Sequence, residues 1–288
     1  MCRFVVYHGP AILLADLVTE PTHSLIHQSY QSREREEPLN GDGFGVAWYA
    51  PEFGEEPAVF RDITPAWNNE NLRNLARVTR SGTILAHVRA ATQGLSVIQT
   101  NCHPFSSGRY AFMHNGDLTG FAAIRRKFLS LLSDRAFMGI RGTTDSEHMF
   151  ALFLDRLAEQ THAESVDRMA AALEAALRQA SELVGDQEEA STLNIVVADG
   201  EHVVASRCVF GHPSEANTLY WRRGRQYRCE NGVCSMDDAM AVETVMIASE
   251  PLFDHGGWSP VPPNHTIVVG HNLQTEIRPL WLARKTVG

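Results

Sequence analysis

The sequence predicts a layered α+β fold. Three observations carry the prediction: apolar β-branched runs crowd both ends of the chain, amphipathic segments crowd its middle, and the regular strand–helix alternation of a doubly wound parallel sheet is missing.

The first run, RFVVY, predicts a strand, and Gly9 and Pro10 in the following HGPAILLA predict a turn after it. FGVAWY (44–49), TILAHVR (83–89) and YAFMH (110–114) are the next strands, each bounded by polar or turn-forming residues. Between Asp117 and Gly185 the apolar period changes from two to 3.6. LTGFAAIRRKFLSLL, SEHMFALFLDRLAEQ and VDRMAAALEAALRQASELV place apolar residues at i, i+3, i+4 and i+7, as in Val166, Met169, Ala170, Leu173 and Leu177. These segments are helices. TLNIVVAD (192–199), HVVASRCV (202–209), VMIASE (245–250) and TIVVG (266–270) return to strands. Residues 31–43 and 211–241 read as long loops, a length at which loops tend to be functional or mobile. Neither a repeat nor a Pro/Ser-rich linker divides the 288 residues, so a single domain, 1–288, is expected.

Charge and cysteine usage exclude several function classes. A net charge of −9 and a pI near 5.8 oppose a nucleic-acid or anionic-membrane partner, either of which needs a basic surface. The basic run RRGRQYR (222–228) goes against that balance and reads as a solvated loop. Five cysteines, at 2, 102, 208, 229 and 234, are odd in number and irregular in spacing, which argues against a secreted disulfide framework and for a cytoplasmic protein. No apolar run approaches the roughly 18 residues of a membrane span. Phe4–Ala15 has the length of a signal core but is broken by His8, Gly9 and Pro10. His23 and His27 have the i, i+4 spacing of a zinc pair, yet the glutamate of HExxH is absent, and Cys229 and Cys234 lack zinc-ligand spacing. No metal and no cofactor are expected.

The candidate chemistry lies in short motifs. NGDGFG (40–45) puts three glycines and an aspartate at the mouth of a strand, as a tight turn or as a pocket-lining loop. AHVRAATQG (86–94) carries His87 and Arg89 on one side of a strand end, where the Arg89 fork suits either a surface salt bridge or a bound carboxylate. HNGD (114–117) contains the strongest hairpin-turn dipeptide; Asn115 and Gly116 could equally offer an amide and an N–H to an oxyanion. RGTTDSEH (141–148) reads as a helix start with Asp145 or Ser146 as the cap, or as a carboxylate placed for an ammonium. Cys2 follows the initiator methionine. With Met1 removed it would carry both a thiol and a free α-amine, groups that titrate near 8.5 and between about 7.7 and 8.0.

Taken in order, Cys2, DGFG, HVRAAT (87–92), NCHPF (101–105), HNG (114–116) and TTDSE (143–147) resemble the glutaminase domain of class II glutamine amidotransferases, members of the N-terminal nucleophile hydrolases. SLIHQSY (24–30), SEPL (249–252) and GWSPVPP (257–263) extend the resemblance to the stand-alone branch that includes a glutathione-degrading amidotransferase subunit and a γ-glutamyl amidohydrolase of ergothioneine synthesis. The chain departs from synthase-linked relatives at Asn40, Gly41 and Gln93, and no synthase domain follows.

The resemblance implies a four-layer αββα sandwich and a cysteine-dependent amidohydrolase that cleaves a γ-glutamyl amide through a thioester on Cys2. Asn115 and Gly116 would form the oxyanion hole. Arg89, Thr92, Asp145 and His114 would hold the substrate, Arg89 at its α-carboxylate and Asp145 at its α-ammonium. The expected partner is a small γ-glutamyl molecule, with room for a partner subunit or a homo-oligomer. The alternative from another class is a non-catalytic or partner-dependent subunit that keeps the fold for binding.

Overall fold

The computed structural model describes residues 2–34, 39–91, 96–161, 165–185, 189–211, 215–230, 232–237, 243–254 and 257–282. The chain starts with β1 (Arg3–Leu13), α1 (Ala15–Val18), α2 (Leu25–Tyr30), β2 (Phe44–Trp48), β3 (Ala58–Asp62), α3 (Glu70–Ala76), β4 (Arg80–Val88), β5 (Phe105–Ser107) and β6 (Tyr110–Asp117). The helical middle comprises α4 (Phe121–Leu129), α5 (Asp134–Gly139), α6 (Asp145–Glu159) and α7 (Ser165–Val184). Then come β7 (Ala190–Ala198), β8 (Val203–Gly211), β9 (Tyr220–Gly224), β10 (Tyr227–Glu230), β11 (Val233–Met236), β12 (Thr244–Ala248), β13 (Ser259–Pro260), β14 (His265–Val269) and β15 (Thr275–Pro279).

Among the described residues the strands form a seven-stranded sheet, β13-β9-β12-β1-β4-β2-β3, a six-stranded sheet, β15-β14-β8-β7-β6-β5, and the hairpin β10-β11. Side-chain alternation along each strand decides what each sheet face covers. In β1, Phe4 and Val6 pack between the sheets against Ala111, Met113 and Val196, while Val5 and Tyr7 point outward to Leu17 and Leu25 of α1 and α2. In the second sheet Phe112, Leu193, Ile195 and Val197 face outward, onto Met149, Leu152 and Phe153 of α6 and Met169 and Leu173 of α7. Two period-two sheets, each with one face on the other and one face under helices, make the expected four-layer αββα sandwich.

Long-range pairing overrides local expectation at several places. Gly9 and Pro10 do not end β1. The strand runs to Leu13, and its pairing with β4 shifts register between His8 and Ile12, so Pro10 sits where no ladder bond is required. HNGD is not a hairpin turn: Asn115 and Gly116 lie inside β6, opposite Asn194 and Leu193 of β7. Neither Asp145 nor Ser146 caps α6, because the Thr144 hydroxyl accepts the Glu147 N–H at 3.3 Å. Segment 211–241 is not one loop, since it contributes β9, β10 and β11. The basic run within it is not simply solvated. Arg222 is buried, donates to the Met236 carbonyl at 2.6 Å and lies 5.1 Å from the Phe253 ring centroid. Cys229 and Cys234 face each other across β10 and β11 and form a disulfide, their Cα atoms 4.0 Å apart, while Cys2, Cys102 and Cys208 are free. The bridge closes a short hairpin; it is not the framework of a small secreted domain.

Candidate active site

Cys2 lies just before β1. Arg3 pairs with Val88 of β4, so the cysteine stands beside the strand end that carries Arg89 and Ala90. It is half-buried, and its thiol donates to the Ala90 carbonyl at 3.6 Å. Its own carbonyl is held by Arg3 Nη1 at 2.9 Å. Arg3 in turn is fixed by Glu250, whose carboxylate also accepts from His23 Nε2 at 2.8 Å, Arg33 N at 2.8 Å and Glu34 N at 3.2 Å. Glu250 is 1% exposed. Burial alone would raise its pKa, but the His23 hydrogen bond, the Arg3 charge and the Arg33 N–H outweigh burial and hold it at about 2.

Arg89 is 3% exposed and forms no ion pair among the described residues; its side chain donates only to the Asp42 carbonyl, at 3.4 Å. The glycine-rich loop clamps this strand end. Asp42 N donates to Arg89 O, Arg89 N donates to Gly43 O, and Asp42 Oδ2 accepts from Ala91 N at 2.8 Å. Gly43 has φ +113°, and a side chain there would collide with Cys102 Sγ and the Asp62 carbonyl.

Asn115 is fully buried. Its Nδ2 donates to Ser249 Oγ at 3.3 Å, and that hydroxyl also accepts the Phe4 N–H at 3.2 Å. One amide proton remains beyond the Ser249 bond, and Oδ1 has no partner. Next to it, Gly116 has φ +149°, and a Cβ would strike the Thr192 carbonyl. The His114 ring is engaged internally, with Nδ1 2.9 Å from Ser146 Oγ and Nε2 3.3 Å from the Thr192 carbonyl. It joins β6 to the start of α6. There Asp145 accepts from Leu118 N and Ser146 N, each at 2.8 Å, and remains 9% exposed. Asp117 lies within electrostatic range of Asp145, and burial followed by that neighbouring charge raises its pKa. Thr92 lies outside the described residues.

Behind these groups is a neutral imidazole layer. His87 Nε2 donates to the His114 carbonyl at 3.2 Å, and burial pushes its pKa down to about 3. His103 packs on it with ring centroids 4.2 Å apart, and burial holds its pKa well below the histidine range. Asn101 ties NCHPF to TTDSE, accepting from Thr143 N at 2.9 Å and donating to Thr143 Oγ1 at 3.1 Å. Among the described residues, no three His, Cys, Asp or Glu side chains are grouped to hold a metal ion, and no helix is long and apolar enough to cross a membrane.

The chain matches the family of class II glutamine amidotransferases over residues 12–278. It is also 40% identical to the probable glutamine amidotransferase DUG3 of Saccharomyces cerevisiae, over 93% of this chain and 82% of that protein. The chain belongs to the class II glutamine amidotransferases. The amidotransferase is also 29% identical to the γ-glutamyl-hercynylcysteine sulfoxide hydrolase of Mycolicibacterium smegmatis, over 93% of this chain and 96% of that protein. Among solved structures, a class II glutamine aminotransferase domain protein from Silicibacter pomeroyi superposes with a TM-score of 0.65 and 28% identity, covering 98% and 100% of the two chains. The glutamine phosphoribosylpyrophosphate amidotransferase of B. subtilis shares the fold, with a TM-score of 0.58 at 13% identity over 98% of this chain and 50% of that one. Family and fold are thus those that the ordered motifs implied, and the amidotransferase is an enzyme of this type. Motif reading did not assign Arg3, Asp42, Asp117, Ser249 or Glu250 to the site. The signals were there without the roles: Asp42 lies in NGDGFG, Asp117 in HNGD, and Ser249 and Glu250 in SEPL.

Proposed function

We propose that this amidotransferase hydrolyses γ-glutamyl amides through a γ-glutamyl thioester on Cys2. The reading is carried by Arg89, a buried guanidinium with no carboxylate partner among the described residues, beside the half-buried thiol. An unneutralised buried cation is costly, and a substrate α-carboxylate would supply the missing charge in a bidentate fork. Asp145, with Asp117 close by, would take the α-ammonium.

In the first half-reaction the Cys2 α-amine, freed by loss of Met1, takes the thiol proton through a water, and the sulfur adds to the amide carbonyl carbon. The oxyanion is met by Asn115 Nδ2 and the Gly116 N–H. Collapse breaks the C–N bond, the leaving amine takes the proton from the ammonium, and a thioester remains. Water then attacks the thioester, giving glutamate and the free thiol. The hydrolase name carried by one relative supports an amine larger than ammonia as the leaving group. The test measures intact mass alongside glutamate release from glutamine, glutathione and other γ-glutamyl amides. Full activity in a form with residues added before Cys2 defeats the amine-as-base step, and activity in Cys2→Ala defeats the thioester.

A further inference from the structure

A second cavity opens on the flank of the sandwich, between the edge strands β3 and β5 and the helices α5 and α6. Its volume is about 680 Å³, within the size range of small-molecule sites. Cys2, Arg89, Asn115, Gly116 and Asp145 do not line it. Helix α6 serves both places. Asp145 and Ser146 turn toward β6, whereas Glu147, Phe150, Ala151 and Leu154, at helical spacing, face the second cavity.

Four arginines from separate parts of the chain converge there: Arg61 of β3, Arg135 of α5, Arg141 before α6 and Arg168 of α7. Three carboxylates also line the space, but two are committed elsewhere. Glu147 accepts from Arg141 N and Gly142 N, and Asp155 accepts from Ser133 N and Ser133 Oγ. The third, Glu56, is exposed. Among the described residues none of the four guanidinium groups forms an ion pair. Arg61 donates only to the Cys102 carbonyl at 3.3 Å, and Arg168 Nε is buried without a hydrogen-bond partner. Burial, and after it the nearby Arg141 charge, lowers the Arg61 pKa despite the opposing Glu147 charge. Four guanidinium groups thus outnumber three carboxylates around the space, Arg61 and Arg168 partly buried and Arg135 and Arg141 exposed at its rim. Beside them, Phe105, Phe150 and Leu154 present an apolar wall.

We propose that this cavity is a binding site for a small organic oxyanion, a carboxylate or phosphate group carried on an apolar body. The head group pairs with the arginines through charge-assisted hydrogen bonds, and the body packs on the phenylalanine and leucine side chains.

Calorimetric titration of the intact protein with phenyl phosphate, phenylacetate and neutral benzyl alcohol, at constant ionic strength, tests it. At least one anion binds saturably and the alcohol does not; the tighter of the two anions identifies the head group. Arg135→Gln combined with Arg168→Gln weakens that binding by about tenfold or more, with glutamate release unchanged. Leu154→Trp, which fills the cavity and leaves all four arginines in place, also abolishes it. Absence of saturable binding by both anions overturns the proposal, as does binding that both variants leave intact. An unchanged urea midpoint reports that each variant is folded, and because it needs no γ-glutamyl activity it keeps this test separate from that reading.

Discussion

Arg3 Nε lies 2.5 Å from Glu250 Oε1, joining residues 247 positions apart in a pair that is 3% and 1% exposed. Through Nη1 the same guanidinium holds the Cys2 carbonyl, so a carboxylate near the far end of the chain governs where Cys2 sits. Replacing it by Glu250→Gln leaves Arg3 buried without a counter-charge. Stability falls by about 3–5 kcal/mol, the usual cost of breaking a buried pair from one side, measured as the urea midpoint. At temperatures where the variant stays folded, kcat falls with it. A variant with full stability and full kcat contradicts the assignment.

The pH dependence of stability follows from the same residue and the imidazole layer. Glu250 is depressed from 4.5 to about 2 in the fold, so its contribution is complete above 4.5 and is lost as pH falls through about 2; the gap corresponds to roughly 3 kcal/mol. His8 and His87 are depressed by burial to about 4 and about 3, and burial holds His103 well below the usual histidine range. Below about 6.5 the unfolded chain takes up protons that these rings refuse, so stability is lost in the same direction as pH falls. Urea midpoints therefore fall steadily from pH 7 to pH 4, and a midpoint that is flat over this range contradicts neutral buried imidazoles.

On the proposed mechanism, Asn115→Ala removes one of the two oxyanion donors. A loss of about a hundredfold in kcat, about 3 kcal/mol, is expected with little change in KM. Steady-state kinetics on a γ-glutamyl amide read this directly. A rise in KM at constant kcat assigns Asn115 to ground-state binding instead.

Gly116→Ala meets the Thr192 carbonyl at a backbone angle of +149°. The strand must shift or unpair from β7, which costs about 3 kcal/mol or more in thermal or urea unfolding. Gly54, whose Cβ would meet nothing within 4 Å, is the control, and Gly54→Ala leaves the unfolding midpoint unchanged.

Arg89→Lys keeps the buried charge but loses the planar fork. Substrate KM rises about tenfold or more while the protein stays folded; Arg89→Gln raises KM further. Unchanged KM in both variants, measured with a γ-glutamyl amide, removes Arg89 from the α-carboxylate role.

The eight strands and three helices expected from periodicity all form; the strands, α6 and α7 bury long apolar faces that local pattern encodes, while α4 fully buries only Phe128, with Phe121 and Ile124 packed beside it. The edge strands β3, β5 and β13 and the hairpin β10-β11 are short and partly polar, and they exist through pairing rather than through their own composition. Asn115-Gly116 shows the same limit. The dipeptide prefers a turn, but pairing with β7 keeps it extended and turns its amide toward Ser249. Cys2 and Arg89 meet at the β1 and β4 ends, and Asn115, Gly116 and Asp145 lie at the β6–α6 junction. His114 is committed to Ser146 and Thr192, and Thr92 lies outside the described residues.

By itself the sequence determined the layered α+β class and, through its motifs, the resemblance to the family, which in turn implied the four-layer order. Both rest on short-range information: a period of two or 3.6 sets which face is apolar, and motifs of four to six residues keep their spacing whatever the rest of the chain does. Only the tertiary structure decided that Glu250 anchors the Cys2 end, that His87 and His103 are neutral, and that Arg89 lacks a counter-charge among the described residues. Those properties are set by desolvation and by charges brought together across hundreds of residues, and no local stretch of chain contains them.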